Sequence, residues 1–319
     1  MRPRYVTARL AQAAFVLWAA WTLSFVILYL LPGDPVRILA SGGLENPDLD
    51  PAYLDQLRAE YGFDQPVAAQ YLDRLTSALG GDLGRSITSG RPVVQVIMQA
   101  LPVTLPLALG SLAVALPVAL AIGLAANMNR ARWAAELAYS TPALIVSIPT
   151  FWLGLVLLQV FSFRWHLFPA TSTDTLHGLV LPAVTLGLPN GAILGQVFAR
   201  SLSQTLAEPY IQVAIAKGLR RRQVIVSHAL RNALIPSFTV LGLVVGNTLA
   251  GSVIVETVFS RPGLGRLVAR AVSVQDIPMV QGAVLLGAVV FVLTNLLVDL
   301  LYPLIDPRVA RPGISGDAP

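Results

Sequence analysis

The densest group of charged and conformationally special residues lies in one segment, residues 208–236, which reads EPYIQVAIAKGLRRRQVIVSHALRNALIP. Pro209 can begin a helix because its missing N–H needs no partner in the first turn, and Gly218 suits the left-handed residue that ends one. Between them lie the small residues Ala214 and Ala216. The pattern predicts a short helix, a glycine elbow and a second, basic helix. Such a helix can insert into a groove of another protein, where its cations pair with acidic groups or lipid head groups.

The sequence contains few residues that could support catalysis or bind a metal. The chain has no cysteine, which excludes a disulfide framework, a thiolate nucleophile and a Cys-based metal site. Its three histidines, His166, His177 and His228, give no His-rich metal site and no Ser, His and carboxylate trio. A G-x-x-x-x-G-K-[ST] phosphate loop is also missing. We therefore expect no catalytic residue, no metal and no cofactor in this chain, and any energy for work would come from another subunit.

The composition indicates a membrane protein. Of the 319 residues, 55% are hydrophobic and 12% are charged, whereas a soluble domain has about 25% charged residues. The net charge of +5 could suggest nucleic acid. The basic residues, however, cluster beside apolar segments, so membrane topology explains them better, and no nucleic-acid partner is expected.

Six apolar stretches without an ionisable residue are long enough to cross a bilayer, for which about 20 helical residues suffice. Several contain prolines, which bend helices and suit a transport path better than a simple anchor. The basic start could belong to a signal peptide, but the apolar region is too long and no cleavage site closes it, so we expect a retained helix. The predicted spans are 10–31, 92–128, 137–163, 178–199, 232–255 and 277–298.

The distribution of charge predicts the orientation. With the N-terminus in the cytoplasm, most basic residues fall inside, as the positive-inside rule requires, and both termini are cytoplasmic. Most acids then fall in an outer segment, residues 32–91, which has two predicted helices at 50–61 and 65–79. Asp50 is the expected N-cap of the first, followed by Pro51. This segment is too short for an enzyme domain but can cap a pore or meet a partner.

The predicted spans contain glycines that allow close helix packing, and their few ionisable residues lie near the span ends. Gly187, Gly191 and Gly195 share one helix face and let another helix approach closely. Glu256 and Asp299 lie near span ends and are expected at the membrane interface. Because transporters driven by protons or sodium generally need an ionisable residue at mid-depth, a secondary transporter is poorly supported.

The segment 208–236 resembles the EAA-type loop of ABC importer permeases, in the form found in the dipeptide/oligopeptide/nickel family. The A-x-A-K-G-L at 214–219 and the HALRNALIP at 228–236 carry the match. The chain departs from the general motif at Gln212 and Val213, and at Arg231, where a proline is usual. The resemblance extends over nearly the whole chain, through LPGDP at 31–35, YGFDQP at 61–66, GDLGRS at 81–86 and DPR at 306–308, and it is closest to the B-type permease of such systems.

The resemblance implies an all-α integral membrane protein with about six transmembrane helices and the type I ABC importer permease fold. It implies a first helix with its tail (1–31), an extracytoplasmic loop (32–91), a five-helix core (92–305) with a coupling loop (200–236), and a cytoplasmic tail (306–319). The implied partners in a bacterial plasma membrane are a second homologous permease, two cytoplasmic ATPases that bind ATP and Mg, and an extracytoplasmic solute-binding protein. The implied function is ATP-driven import of dipeptides or oligopeptides by alternating access. Nickel or other peptide-like solutes are the alternative, and a secondary transporter is less favoured.

Two groups of site residues follow from the resemblance. The expected ATPase-coupling residues are Tyr210, Ala214, Ala216, Lys217, Gly218, Leu219, Arg221 and Arg222, and the candidate pore-lining residues are Asn190, Gln196, Asn247 and Thr248. In the first group, Lys217, Arg221 and Arg222 are equally well explained as positive-inside determinants. In the second group, interhelical hydrogen bonds are the commoner explanation for polar residues within spans.

Overall fold

The computed structural model describes residues 3–30, 35–40, 50–60, 62–128, 131–170 and 175–305. The LPGDP, YGFDQP and DPR motifs fall wholly or partly outside these ranges. Across the described part of the chain the regular elements are helices, and π-helical turns follow α7 (Leu158–Arg164) and α10 (Ile225–Ala229). The helices are α1 (Pro3–Leu30), α2 (Pro35–Ala40), α3 (Pro51–Glu60), α4 (Val67–Leu79), α5 (Val93–Met128), α6 (Arg132–Val146), α7 (Thr150–Leu157), α8 (Leu176–Leu206), α9 (Pro209–Ala216), α10 (Arg221–Val224), α11 (Leu230–Val258), α12 (Leu264–Ser273) and α13 (Ile277–Ile305).

Five helical stretches are long and apolar enough to cross a membrane, within α1, α5, α8, α10–α11 and α13. The sixth predicted span, 137–163, is not one straight helix: α6 and the α7 stretch meet at an angle of 96°. Pro149 lies at the break as the N-cap of α7, where it lacks an N–H and disfavours a helical conformation at Ile148. Counting the bent pair as one span gives the six that the sequence predicts.

The chain forms two compact units, and the first comprises Met1–Leu105 and Pro262–Val292. Its core joins α1, the beginning of α5, α12 and the beginning of α13. Gly282 is required there, because a Cβ would lie 2.5 Å from Cγ1 of Val93. The two helices predicted in the outer segment are α3 and α4. The predicted cap is also confirmed, since Asp50 Oδ1 accepts a hydrogen bond from the Ala52 N–H at 3.0 Å.

The second unit comprises Pro106–Arg261 and Leu293–Pro319 and is built around α8. The glycine face of α8 packs directly on α5, as predicted. A Cβ at Gly187 would lie 2.5 Å from the Ser111 carbonyl oxygen, and one at Gly191 would lie 2.8 Å from the Ala115 carbonyl oxygen. The two helix backbones therefore touch, and no larger residue fits between them.

Candidate coupling site

The elbow predicted in segment 208–236 is present. Helix α9 begins at Pro209 and ends at Ala216, and Gly218 follows with φ of +82°. The Gly218 N–H donates to the Ile215 carbonyl at 2.9 Å, and the Leu219 N–H donates to the Ala214 carbonyl at 3.4 Å. This pair of bonds is the Schellman arrangement, which needs a left-handed residue after the helix. Gly218 supplies that conformation without steric cost.

The α9 helix has one face against its own chain and one face outward. Ile211 and Ala214 are buried in a cluster with Phe198 and Leu202 of α8 and with Val224 and Ile225 of the next segment. Ala214, expected at the coupling surface, therefore packs within this chain. The outward face has the expected residues Tyr210, Ala216 and Lys217 and also two large apolar residues that the sequence reasoning did not select, Val213 and Ile215. Their apolar character outside the predicted spans was the available signal.

The second helix of the segment continues into a span. After α10 the backbone widens into the π-helical turn that contains His228, and α11 begins at Leu230. Pro236 lies inside α11. The α10 helix, the π-helical turn and α11 therefore form one continuous helical segment. π-helical turns often occur at functional sites.

A group of hydrogen bonds around Arg221 and Asn127 connects α10 to α5, α6 and α8. Arg221, although exposed along part of its length, donates from Nη2 and Nε to the Asn127 carbonyl at 2.7 and 3.1 Å. Asn127 is near the end of α5, where carbonyls lack helical partners and a cation is favourable. The Asn127 side chain is buried; its Nδ2 donates to the carbonyls of Gly123 and Ala199, and its Oδ1 accepts from the Tyr139 hydroxyl at 3.2 Å. Asn127 thus connects α5, α6, α8 and α10.

Sequence reasoning missed this junction. Asn127 is an uncharged polar residue at the end of a long apolar stretch, and that position was its only signal. A second link joins α9 to α11, because the Asn232 side-chain amide donates to the Tyr210 hydroxyl at 2.9 Å. Through the packing of α9 on α8 and these polar links, the segment contacts α5, α8 and α11.

The structure brings together two of the four candidate pore-lining residues. Asn190 Nδ2 donates to Thr248 Oγ1 at 3.0 Å, and both residues are buried between α8 and α11. Thr248 in turn donates to the Val244 carbonyl at 2.7 Å. Gln196 is half-buried and Asn247 is exposed. Asn190 and Thr248 thus form an interhelical contact, and Asn247 lies on the exposed side of α11.

Glu256, which the sequence predicts near the membrane interface, is fully buried within the chain near the end of α11. Arg261 is buried beside it in sequence, and its N–H donates to the Glu256 carbonyl at 2.8 Å. Both residues also take part in other polar or electrostatic contacts. The burial of Glu256 could not be predicted from the sequence, because position near the end of an apolar stretch does not show what folds over it. Among the described residues, no three His, Asp or Glu side chains gather into a metal site.

Comparison with known proteins gives one consistent family. Residues 118–311 match the family described as binding-protein-dependent transport system inner membrane component, and residues 2–108 match the N-terminal part of such membrane components. The glutathione transport system permease protein GsiC of Escherichia coli O6:H1 is 37% identical over 305 residues, which cover 96% of this chain and 98% of the relative. GsiC of Salmonella typhimurium is also 37% identical, with the same coverage. A solved amino acid ABC transporter with histidines matches with a TM-score of 0.48 and 19% identity, covering 67% of this chain and 94% of that one. The chain therefore belongs to the family of binding-protein-dependent transport system inner membrane components, and it is a permease subunit of an ABC importer.

Proposed function

We propose that this permease imports small peptides or peptide-like solutes, and that the outward face of α9 is the surface on which an ATPase subunit acts. The observation that carries the substrate class is the match over 96% of the chain to permeases named for glutathione, itself a peptide-like solute. The observation that carries the coupling surface is the exposed apolar pair Val213 and Ile215 beside Lys217 on a helix fixed to the spans. Nickel complexes remain the second candidate solute from the family resemblance.

The proposed mechanism is alternating access driven from α9. ATP and Mg are bound by two partner ATPases, whose closure displaces the docked α9 helices of this chain and of a second, homologous permease. Because α9 packs on α8, and because Arg221 and Tyr210 link the segment to α5 and α11, the displacement reaches the spans without loss in a flexible loop. ATP binding shifts the equilibrium only by its different affinity for the two states. The attachment of α9 to the spans would make closure of the ATPases favour one arrangement of the bundle over the other.

The outer segment is proposed to face the extracytoplasmic side, with both termini in the cytoplasm of a bacterial plasma membrane. There it would receive the solute-binding protein. Its last turn is firmly held: the buried Asp276 carboxylate accepts from the Ser86 hydroxyl at 2.6 Å and from the N–H groups of Ile87 and Thr88 at 3.1 and 3.2 Å. Asp276 also caps α13 by accepting from the Met279 N–H at 3.2 Å. Contact of the binding protein with this turn would therefore be transmitted through Asp276 to α13.

Reconstitution tests the proposal. The chain is assembled in proteoliposomes with its partner permease, the ATPases and the binding protein, and uptake of radiolabelled glutathione, alanyl-alanine and nickel is measured with and without ATP. We expect ATP-dependent uptake of the peptides, lost when Val213 and Ile215 are both changed to Asp. Uptake driven by an ion gradient without the ATPases would refute the proposal in favour of a secondary transporter. ATP-driven uptake of nickel alone would support the second candidate solute.

A further inference from the structure

A buried aromatic side chain of the second unit lies where α5 has no side chain of its own. Phe198 of α8 is 1% exposed. A Cβ built at Gly123 of α5 would lie 2.5 Å from Cε1 of the Phe198 ring and closer still to its Cδ1. The aromatic ring therefore occupies the volume that any larger residue at position 123 would fill. We call this recess in α5 the Gly123 notch.

The same aromatic ring belongs to the core on which α9 packs. Phe198 shares a buried cluster with Ile211 and Ala214, the inward-facing residues of α9, and Leu124 of α5 packs against this cluster. Protein interiors are close-packed, so one side chain of such a cluster has little room to move without its neighbours. Phe198 thus connects α9 to α5 by apolar packing.

One helical turn after the notch, the Asn127 side chain makes a polar connection between α5, α8 and α6. Its Nδ2 donates to the Gly123 carbonyl at 2.9 Å and to the Ala199 carbonyl of α8 at 3.0 Å, and its Oδ1 accepts from the Tyr139 hydroxyl of α6 at 3.2 Å. Both amide protons and the amide oxygen therefore have partners, a combination that neither aspartate nor leucine supplies. A fully satisfied buried network of this kind favours one arrangement of its helices.

The two connections attach the end of α5 to both sides of the elbow. The Phe198 packing joins α5 to α9, which precedes Gly218. The Asn127 carbonyl, which accepts two hydrogen bonds from Arg221, joins α5 to α10, which follows Gly218. A movement of α9 relative to α5 would therefore disturb the packing at the notch, the hydrogen bonds at Asn127, or both.

We propose that Phe198, seated in the Gly123 notch, and Asn127 are positioning residues that make the end of α5 move together with α8 and α9 when an ATPase acts on α9. Both side chains are buried, so they act through the helices that they join and touch neither the solute nor the ATPase. The inference rests on the proposed role of the outward face of α9, and it adds the contacts through which a displacement of that face reaches α5.

Size substitutions at the notch test the apolar connection. Gly123→Ala would displace the Phe198 ring, and an apolar cavity of about 210 Å³ that Phe198 helps to line gives the ring space to enter, so the variant should fold. In proteoliposomes, ATP hydrolysis should continue while uptake per ATP hydrolysed falls about five-fold or more. Adding Phe198→Leu to this variant should restore uptake per ATP hydrolysed, because substitutions of residues in contact are not additive.

The matched control for the notch is another glycine of the second unit. Gly251→Ala would place a Cβ 2.7 Å from Cδ1 of Leu186, which is the same kind of overlap on α8 away from the α9 cluster. This control should lower thermal stability and leave uptake per ATP hydrolysed unchanged. Equal uptake per ATP hydrolysed in Gly123→Ala and Gly251→Ala would overturn the proposal.

An amide substitution tests the polar connection. Asn127→Asp keeps the size of the side chain but removes both donors, so that a carboxylate faces the carbonyls of Gly123 and Ala199. We expect uptake per ATP hydrolysed to fall about five-fold or more. The matched control Gln70→Glu makes the same change at a buried side chain of α4 that donates to the Gln65 carbonyl at 2.8 Å. It should lower thermal stability without lowering uptake per ATP hydrolysed, and equal uptake per ATP hydrolysed in the two variants would contradict the role of Asn127.

A distance measurement separates joint movement from a loss of stability. The chain has no cysteine, so Ala113→Cys on α5 and Gln212→Cys on α9, both at exposed positions, can carry a pair of spin labels. In the assembled complex in lipid nanodiscs, the distance between the labels should be the same with and without ATP, whereas in Gly123→Ala it should change when ATP binds. A distance that changes with ATP in the complex with glycine at position 123 would overturn the proposal, and so would an unchanged distance in Gly123→Ala.

The outcomes distinguish this inference from the proposed coupling surface. If Gly123→Ala and Asn127→Asp couple normally while the variant with Asp at both Val213 and Ile215 loses uptake, the inference is overturned and the surface is retained. If Gly123→Ala and Asn127→Asp are uncoupled while the Val213 and Ile215 variant imports at the unmodified level, the surface is refuted and the two connections are still required for coupling.

Discussion

A graded substitution series at Gly218 tests whether the elbow after α9 is required for coupling. The residue has φ of +82°, and a Cβ built there meets nothing within 4 Å among the described residues. The cost of a side chain is therefore backbone strain alone. A left-handed conformation costs an L-residue about 1–2 kcal/mol, while asparagine tolerates it best and a β-branched residue tolerates it least.

The strain translates into a rank order. About 1–2 kcal/mol changes the ratio of the docked to the rearranged α9 by a factor of about 5–30, so Gly218→Asn should keep most of the uptake, Gly218→Ala less, and Gly218→Val almost none. The assay is ATP-driven uptake together with ATP hydrolysis stimulated by the binding protein, both in proteoliposomes that contain equal amounts of complex.

The control uses the same strain at another place. Gly62 has φ of +70° and also meets nothing within 4 Å, but it lies between α3 and α4 in the outer segment. Gly62→Val should lower thermal stability by a similar amount without uncoupling hydrolysis from uptake. Uptake and stimulated hydrolysis at the unmodified level in Gly218→Val would refute the elbow hypothesis.

Three further predictions concern the junctions. Arg221→Gln should lower uptake per ATP hydrolysed several-fold because the two bonds to the Asn127 carbonyl are lost, whereas Arg220→Gln, at an exposed position outside the expected coupling residues, should not; equal effects would favour a general role of positive charge. Asp276→Ala should lower the free energy of unfolding of the complex by about 3 kcal/mol or more, because buried donors lose a charged acceptor, and Asp276→Asn, which keeps one oxygen, by less; thermal denaturation in detergent measures both, and unchanged midpoints would contradict the assignment. Gly187→Leu should prevent accumulation of folded protein, because its Cβ would lie 2.5 Å from the Ser111 carbonyl, while Gly287→Ala, whose added Cβ meets nothing within 4 Å among the described residues, should accumulate normally in membrane fractions.

The sequence by itself determined the features that depend on neighbouring residues. The apolar stretches determined where helices cross the membrane, since each span satisfies its own backbone hydrogen bonds. Asp50 and Pro51 determined where α3 begins, and Gly218 determined where α9 ends, because capping involves residues within one turn of a helix end. The four-residue spacing of glycines on α8 likewise predicted a close helix contact, although it could not name α5 as the partner.

Only the tertiary structure decided which distant groups meet. Asp276 binds a turn that precedes it by 190 residues, and Arg221 binds a carbonyl 94 residues earlier. Neither pairing leaves a local pattern in the sequence. The entropic cost of closing a loop grows only slowly with its length, so residues far apart along the chain can pair almost as readily as closer ones. For the same reason the sequence could not show that the fold buries Ala214, an expected coupling residue, and Glu256 within the chain. Local periodicity shows that a residue is on a helix, but what covers it is determined by the packing of the whole chain.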